Sequence, residues 1–397
     1  MSIPAESRLH QANWLRQREV QDIFAMLDGK KSRTRAVGGI VRDTILERLT
    51  SDNDIDMATE LLPDEVMARA RSAGIAVYPT GVEHGTVTLR HGEVSVEVTT
   101  LRRDLVTDGR HAEVTFGSNW RVDAERRDFT LNALYADMDG DLLDPLGGLG
   151  DCLSGHVKFI GNANERIAED GLRVFRFFRF SASHGKQNFD GAGLAACGAA
   201  AGRLSHLSAE RVGSEMLRML GLPRIAVTLA KMNAISLLSL PEYAIAPLQS
   251  YERQVNKPLC AARLALILGA VPGDGLQRQW RLSNETMTQA QLLRRAAALI
   301  TAMKLHEAAY RYGSIVESAL DVAAAEAGWG EAGKAAVLGN LEKITPLPLP
   351  ISGRDLLDAG FAPGPSLGQA LNRAETAWIS SEFSLEPASL LSIIQSD

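Results

Sequence analysis

The sequence predicts a mixed α/β head followed by an all-helical remainder, and three observations carry that reading. Before about residue 150, short β-branched runs alternate with helical patterns. After it strand signals almost vanish, and Ala, Leu, Arg and Glu recur at helical spacing from Asn164 to about Ala325. The length, 397 residues, exceeds one ordinary core and implies two to four domains.

The elements follow in order. Residues 35–37 read as a strand entering the Gly38-Gly39 turn, with a helix over residues 41–49 behind it. Residues 86–89 and 94–99 alternate like strands of a half-buried sheet, and Asp139-Gly140 and Gly147-Gly148 close the head. Ser and Pro punctuate the helical remainder, and the Pro-rich run 345–350 sets off the last forty-odd residues. No repeat of 20–50 residues is visible.

Forty-two Lys and Arg against 48 Asp and Glu give a net charge of −6, which on its own argues against a nucleic-acid partner. The distribution differs: residues 253–311 hold nine Lys/Arg against three Asp/Glu, a basic belt of net +6 that permits one. The three cysteines lie far apart with no CxxC pair, which excludes a disulfide scaffold and a Cys-rich zinc site and fits a reducing cytosol. Residues 1–10 carry no signal-peptide core, and the most apolar stretch, 225–240, is broken by Lys231 and Asn233. The expectation is a cytoplasmic protein with no membrane span.

Two features of the head suggest chemistry. Glycines between a strand and a helix let backbone N–H groups approach an anion, so Gly38 and Gly39 are a candidate phosphate turn, with Arg42 one turn on as a charged fork. A plain strand–turn–helix would look the same. In Asp54-Ile55-Asp56, strand spacing aims both carboxylates at one face, an arrangement able to hold Mg²⁺ while leaving room for phosphate oxygens. Asp52 and Asn53 also allow an acidic turn there. Glu97 is the best third carboxylate, because Val96 and Val98 would face the other way.

The order Gly-Gly-x-x-Arg-Asp, Asp-x-Asp, strand acid resembles the nucleotidyltransferase superfamily of polymerase-β type. Residues 126–134 (RRDFTLNAL) and 165–176 (ERIAEDGLRVFR) narrow this to the bacterial CCA-adding tRNA nucleotidyltransferases and their poly(A) polymerase relatives, across residues 35–220. The resemblance implies a nucleotidyltransferase head over 1–150, a helical neck that recognises the base over 151–220, a tRNA-binding helical body over 221–345 and a helical tail over 346–397. It implies template-independent addition of CCA to the tRNA 3′ end from CTP and ATP, with Mg²⁺ at Asp54 and Asp56 and no stable protein partner.

Asp170 and Arg173, three apart, would share a helix face and present an acceptor beside a fork of donors. Cytosine and adenine both pair an amino donor with a ring-nitrogen acceptor, whereas uracil and guanine present the reverse, so this pair can select C and A without a template. An ordinary surface salt bridge is the plain alternative. Arg176 and Arg179 continue the stripe between buried-looking phenylalanines. By resemblance they contact the incoming nucleotide with Arg127 and Asp128. Gly171 stands where relatives often have Pro or Ala, and is expected to loosen the helix. Phe177-Phe178 sit where smaller residues are usual.

The polar stretch 102–113 looks like the flexible loop that switches the pocket from C to A. The segment 207–215 resembles a motif that braces the neck, and 352–357 with 360–368 resemble the tail that grips tRNA. His84 and His111 read as solvent or loop residues. Three rivals stand beside the main reading: a poly(A) polymerase, a CC-only or A-only enzyme, and a silent tRNA-binding protein. Residues 57–63 (MATELLP) lack the basic segment usual in poly(A) polymerases, and the intact Asp-x-Asp and Glu-Asp-x-x-Arg speak against the silent scaffold.

Overall fold

The computed structural model describes residues 4–49, 54–107 and 112–395, with 103–107 and 112–114 described by backbone alone. Asp52, Asn53, Arg110 and His111 lie outside the described residues. The chain forms two compact units, one of Met1–Glu215 with Ala234–Leu237, the other of Met216–Asn233 with Leu238–Asp397.

The first unit is built on a mixed seven-stranded sheet. Its strands are β1 (Thr34–Val37), β2 (Ile55–Thr59), β3 (Ala76–Gly81), β4 (Thr86–His91) and β5 (Val94–Thr100). After a separate hairpin of β6 (Arg102–Thr107) and β7 (Ala112–Phe116), two short strands complete it, β8 (Tyr135–Ala136) and β9 (Leu142–Leu143). The order is β3-β4-β5-β2-β1-β8-β9. Only β2 and β5 run parallel, and their register sets Ile55 beside Val96 and Asp56 beside Glu97. Val96 and Val98 are buried and Glu97 is exposed, as the alternation predicts. Of the polar stretch expected as a flexible loop, residues 102–107 and 112–113 lie in the strands of a two-stranded antiparallel ribbon with one bulge, and 108–111 lie outside the described residues. A two-stranded ribbon buries little, so its strands need no apolar alternation to announce them.

The helix expected over 41–49 runs from Gly39 to Ile45. It starts earlier because Gly38 makes the whole turn, at φ 73° and ψ −124°, a region closed to residues with a Cβ. Glu47 in the left-handed region ends it sooner.

The helix Leu172–Ser183 buries Val174, Phe177 and Phe178 completely. Phe177 stacks on Phe159 at 5.4 Å, and Phe129 packs against both rings. The large Phe177-Phe178 pair therefore fills the layer beneath this helix. Gly171 does not sit inside a helix it could loosen: the helix breaks at Asp170 and restarts with Gly171 as its N-cap. A Cβ there would come within 2.7 Å of Leu204, so glycine lets the Leu204–Leu207 segment close against the helix start.

The second unit is helical. Its longest helix, Asn284–Thr301, packs against Cys260–Ala270 and Val316–Ala327. Arg263, counted in the basic belt, is fully buried: it donates to Glu252 at 2.7 Å and to the carbonyls of Leu220, Leu222 and Pro223. That charge is therefore withdrawn from any surface. Beyond the Pro-rich run, Ile351, Leu356, Trp378, Phe383 and Leu390 gather in a core of their own, with Tyr310 packed against it. Among the described residues no helix is long and apolar enough to cross a membrane. All three cysteines are free; burial pushes the Cys152 thiol up to about 11 and Cys197 to about 12.

Candidate active site

β1 delivers the chain into Gly38, and β2 begins one residue after Asp54, so the turn and the two aspartates stand on adjacent strands. Burial, then the Glu97 carboxylate, then Asp54 push the Asp56 carboxyl up to about 6, against the opposing pull of Arg127. Crowded carboxylates of this kind gain from a cation. Among the described residues, however, no group of three His, Cys, Asp or Glu side chains converges as a metal cage. Glu97 thus neighbours Asp56 without completing a three-carboxylate set. Two aspartates alone, all oxygen, suit Mg²⁺, which keeps water and phosphate in its remaining positions.

Arg127 lies over this site. A Cβ on Gly38 would come within 3.9 Å of its Nη1. The helix Trp120–Glu125 ends just before it, and the spacing brings Asp123 to both Arg126 and Arg127. Asp123 is buried; its Oδ1 accepts from Arg126 at 2.8 Å and its Oδ2 from Arg127 Nη2 at 3.1 Å and from the Tyr135 hydroxyl at 2.8 Å.

A second network runs under the turn. Arg42, expected to grip phosphate, is buried. It donates to both Asp43 oxygens at 2.9 and 2.7 Å and to Asn132 Oδ1 at 2.6 Å. Burial would raise the Asp43 carboxyl, but hydrogen bonds from His184 and Arg42 hold it at about 2. Asn132 in turn donates to Asp128 Oδ1 at 3.0 Å, and Asp128 Oδ2 accepts from Arg176 at 2.7 Å. Arg176 and Arg179 both reach Glu215, at 3.7 and 2.5 Å. Arg42 here braces the Gly38-Gly39 helix against Asn132.

Asp170 and Arg173 do not share a helix face. Asp170, at φ −149°, lies in the break between the helices Ala163–Glu169 and Leu172–Ser183, and its Oδ1 caps Leu172 N at 3.1 Å. Its other oxygen accepts from Arg211 at 2.7 Å. Arg173 pairs with Glu169 at 2.5 Å and donates to the carbonyls of Arg166 and Arg126. The two still lie within three residues of each other, but each has another partner.

Sequence reasoning missed Asp123, Tyr135 and Asn132 as members of the site. The i+3 and i+4 spacing of Asp123 to the two arginines was a usable signal; nothing in the sequence marked Tyr135.

Comparison with known proteins decides the family. Residues 34–158 match the Poly A polymerase head domain family. The CCA tRNA nucleotidyltransferase 1, mitochondrial, of Mus musculus is 30% identical over 95% of this chain and 92% of its own length. The chain belongs to the CCA-adding tRNA nucleotidyltransferase family. A CCA-adding enzyme of the same family from Lacticaseibacillus paracasei is 32% identical over 90% of both chains. The crystal structure of the Bacillus stearothermophilus CCA-adding enzyme in complex with CTP has a TM-score of 0.74 at 28% identity, covering 96% of this chain and 98% of that one. The mixed-sheet head and mostly helical remainder predicted from sequence are those of the CCA-adding family.

Proposed function

We propose that this protein adds CCA to the 3′ end of tRNA from CTP and ATP, without a nucleic-acid template and with release of pyrophosphate. The observation that carries the proposal is the Asp54–Asp56 pair, set beside the Gly38 turn and Arg127, in a chain that aligns with CCA-adding relatives over nearly its whole length. In the reaction the tRNA 3′ oxygen attacks the α-phosphorus, the α–β anhydride bond breaks, pyrophosphate leaves, and the hydroxyl proton passes to solvent.

Asp54 and Asp56 would hold Mg²⁺, with Glu97 close enough to strengthen the local negative field. Bound there, the ion would lower the 3′-hydroxyl pKa and neutralise phosphate charge. The chain's own residues do the rest. Gly38 and Gly39 offer backbone N–H groups and Arg127 a guanidinium to the triphosphate, with Arg42 bracing the turn from beneath. Asp128, Arg176 and Arg179 line the nucleotide side. Asp170 and Arg173 read the base edge. In this reading residues 1–150 are the catalytic head, 151–220 the neck, and 221–345 and 346–397 the body and tail that bind tRNA, in the cytoplasm.

Incubating the protein with tRNA that ends before its CCA, with CTP and ATP separately and together, tests this. Addition of C, C and A followed by a stop supports it. A long A tract would assign a poly(A) polymerase, C and C without A a partial enzyme, and no product would overturn the catalytic reading.

A further inference from the structure

We propose that Asp123 and Tyr135 are positioning residues for the incoming nucleotide: together they turn Arg127 so that one end of its guanidinium faces the Gly38 turn. This rests on the assignment of that turn as the triphosphate site.

The argument is one of donors and acceptors. Arg127 Nε has two acceptors, the Tyr135 hydroxyl at 3.1 Å and Asp123 Oδ2 at 3.3 Å, and Nη2 has Asp123 Oδ2 at 3.1 Å. Nη1 has no hydrogen-bond partner among the described residues, and it lies 3.9 Å from the place a Cβ on Gly38 would occupy, beside the Asn132 carbonyl oxygen at 3.8 Å. A guanidinium is planar and rigid, so fixing Nε and Nη2 fixes where Nη1 points. Its two N–H bonds are thus presented to the turn, as an anion site requires.

The clamp is itself held. Tyr135 is fully buried on β8, and its hydroxyl gives its proton to Asp123 while accepting from Arg127. Its ring sits edge-on to Trp120 at 5.4 Å, and Trp120 donates to Glu60, the residue after β2. The arginine's aim is thereby referenced to the same strand that carries Asp56. Asp123 also binds Arg126 through its other oxygen, so one carboxylate balances two cations. Without it, Arg127 would be free to swing toward Asp56, with which it forms no ion pair here.

The test is a coupling measurement on the full chain. CTP binding is followed by calorimetry without added metal, and CTP and tRNA kinetics are followed with Mg²⁺. Tyr135→Phe keeps the ring and removes one acceptor; it should weaken CTP binding about three- to tenfold, less than the full value of a hydrogen bond to a charged group because Asp123 still holds Nε and Nη2. KM for CTP should rise while kcat and KM for tRNA hold. Asp123→Asn should weaken CTP binding further; if it fails to fold, Tyr135→Phe carries the test. In an Arg127→Ala background Tyr135→Phe should have no further effect on CTP binding. An equal loss in both backgrounds would show a merely structural role and overturn the proposal, as would unchanged CTP binding in Tyr135→Phe. Failure of the unsubstituted protein to bind CTP would instead overturn the assignment of the site.

Discussion

Replacing Asp56 by Asn should make the metal-free protein more stable while removing its activity. The Asp56 carboxyl titrates at about 6 in the fold against 3.8 for a free side chain, because it is buried and faces Glu97 and Asp54. Between those values the folded state binds the extra proton, so stability falls as pH rises from about 4 to 6 and stays lower above that. Two units correspond to about 3 kcal/mol at 1.36 kcal/mol each; partial solvent access reduces this to about 1–2 kcal/mol. Asn keeps the shape and removes the charge. Urea unfolding at pH 7.5 with a chelator should therefore show Asp56→Asn more stable than the parent by that amount, and the gap should narrow toward pH 4.5. Hydrogen exchange in β2 and β5 gives the local check. Mg²⁺ should stabilise the parent and leave the variant unchanged. A variant that is equally or less stable at pH 7.5, or whose advantage is the same at pH 4.5, would refute the electrostatic argument.

Other outcomes follow from the same structure. Gly38→Ala forces a Cβ into a backbone region it cannot occupy, costing about 1–3 kcal/mol and misplacing the turn; CTP affinity measured by calorimetry should collapse while the helical unit melts unchanged. Arg173→Ala should degrade the choice of C and A over U, read as misincorporation in single-nucleotide assays, more than it degrades tRNA affinity; an equal loss of both would count against base reading. Arg263→Leu leaves Glu252 buried without its cation and should destabilise the helical unit by about 3–5 kcal/mol, seen as an earlier unfolding step by circular dichroism.

Much of the head was legible because its signals are local. The alternation in residues 94–99 placed Glu97 on the face opposite Val96 and Val98, and Asp-x-Asp spacing put Asp54 and Asp56 together. What stayed hidden depends on partners far away in sequence. Strands β8 and β9 are two residues each, too short to show a period, yet β8 carries Tyr135. The i+3 rule failed for Asp170 and Arg173 because it assumes one continuous helix, and Gly171 marks where the helix restarts. Arg42 and Arg263 read as available charge because a sequence shows a cation but not what surrounds it. For Arg263 the flanking run of Ala, Leu and Ile was the available hint.

On the proposed role of Asp170 and Arg173 as readers of the base, their pairings with Arg211 and Glu169 carry a consequence for selectivity. A nucleobase arriving at this corner competes with protein groups that already satisfy both side chains. It must displace a carboxylate and a guanidinium, and it gains entry only if its own edge restores every bond it breaks. Cytosine and adenine offer the matching order of donor and acceptor. A uracil would evict the same residents and leave polar groups unmatched, so the resting contacts act as a threshold that the wrong letter fails to cross.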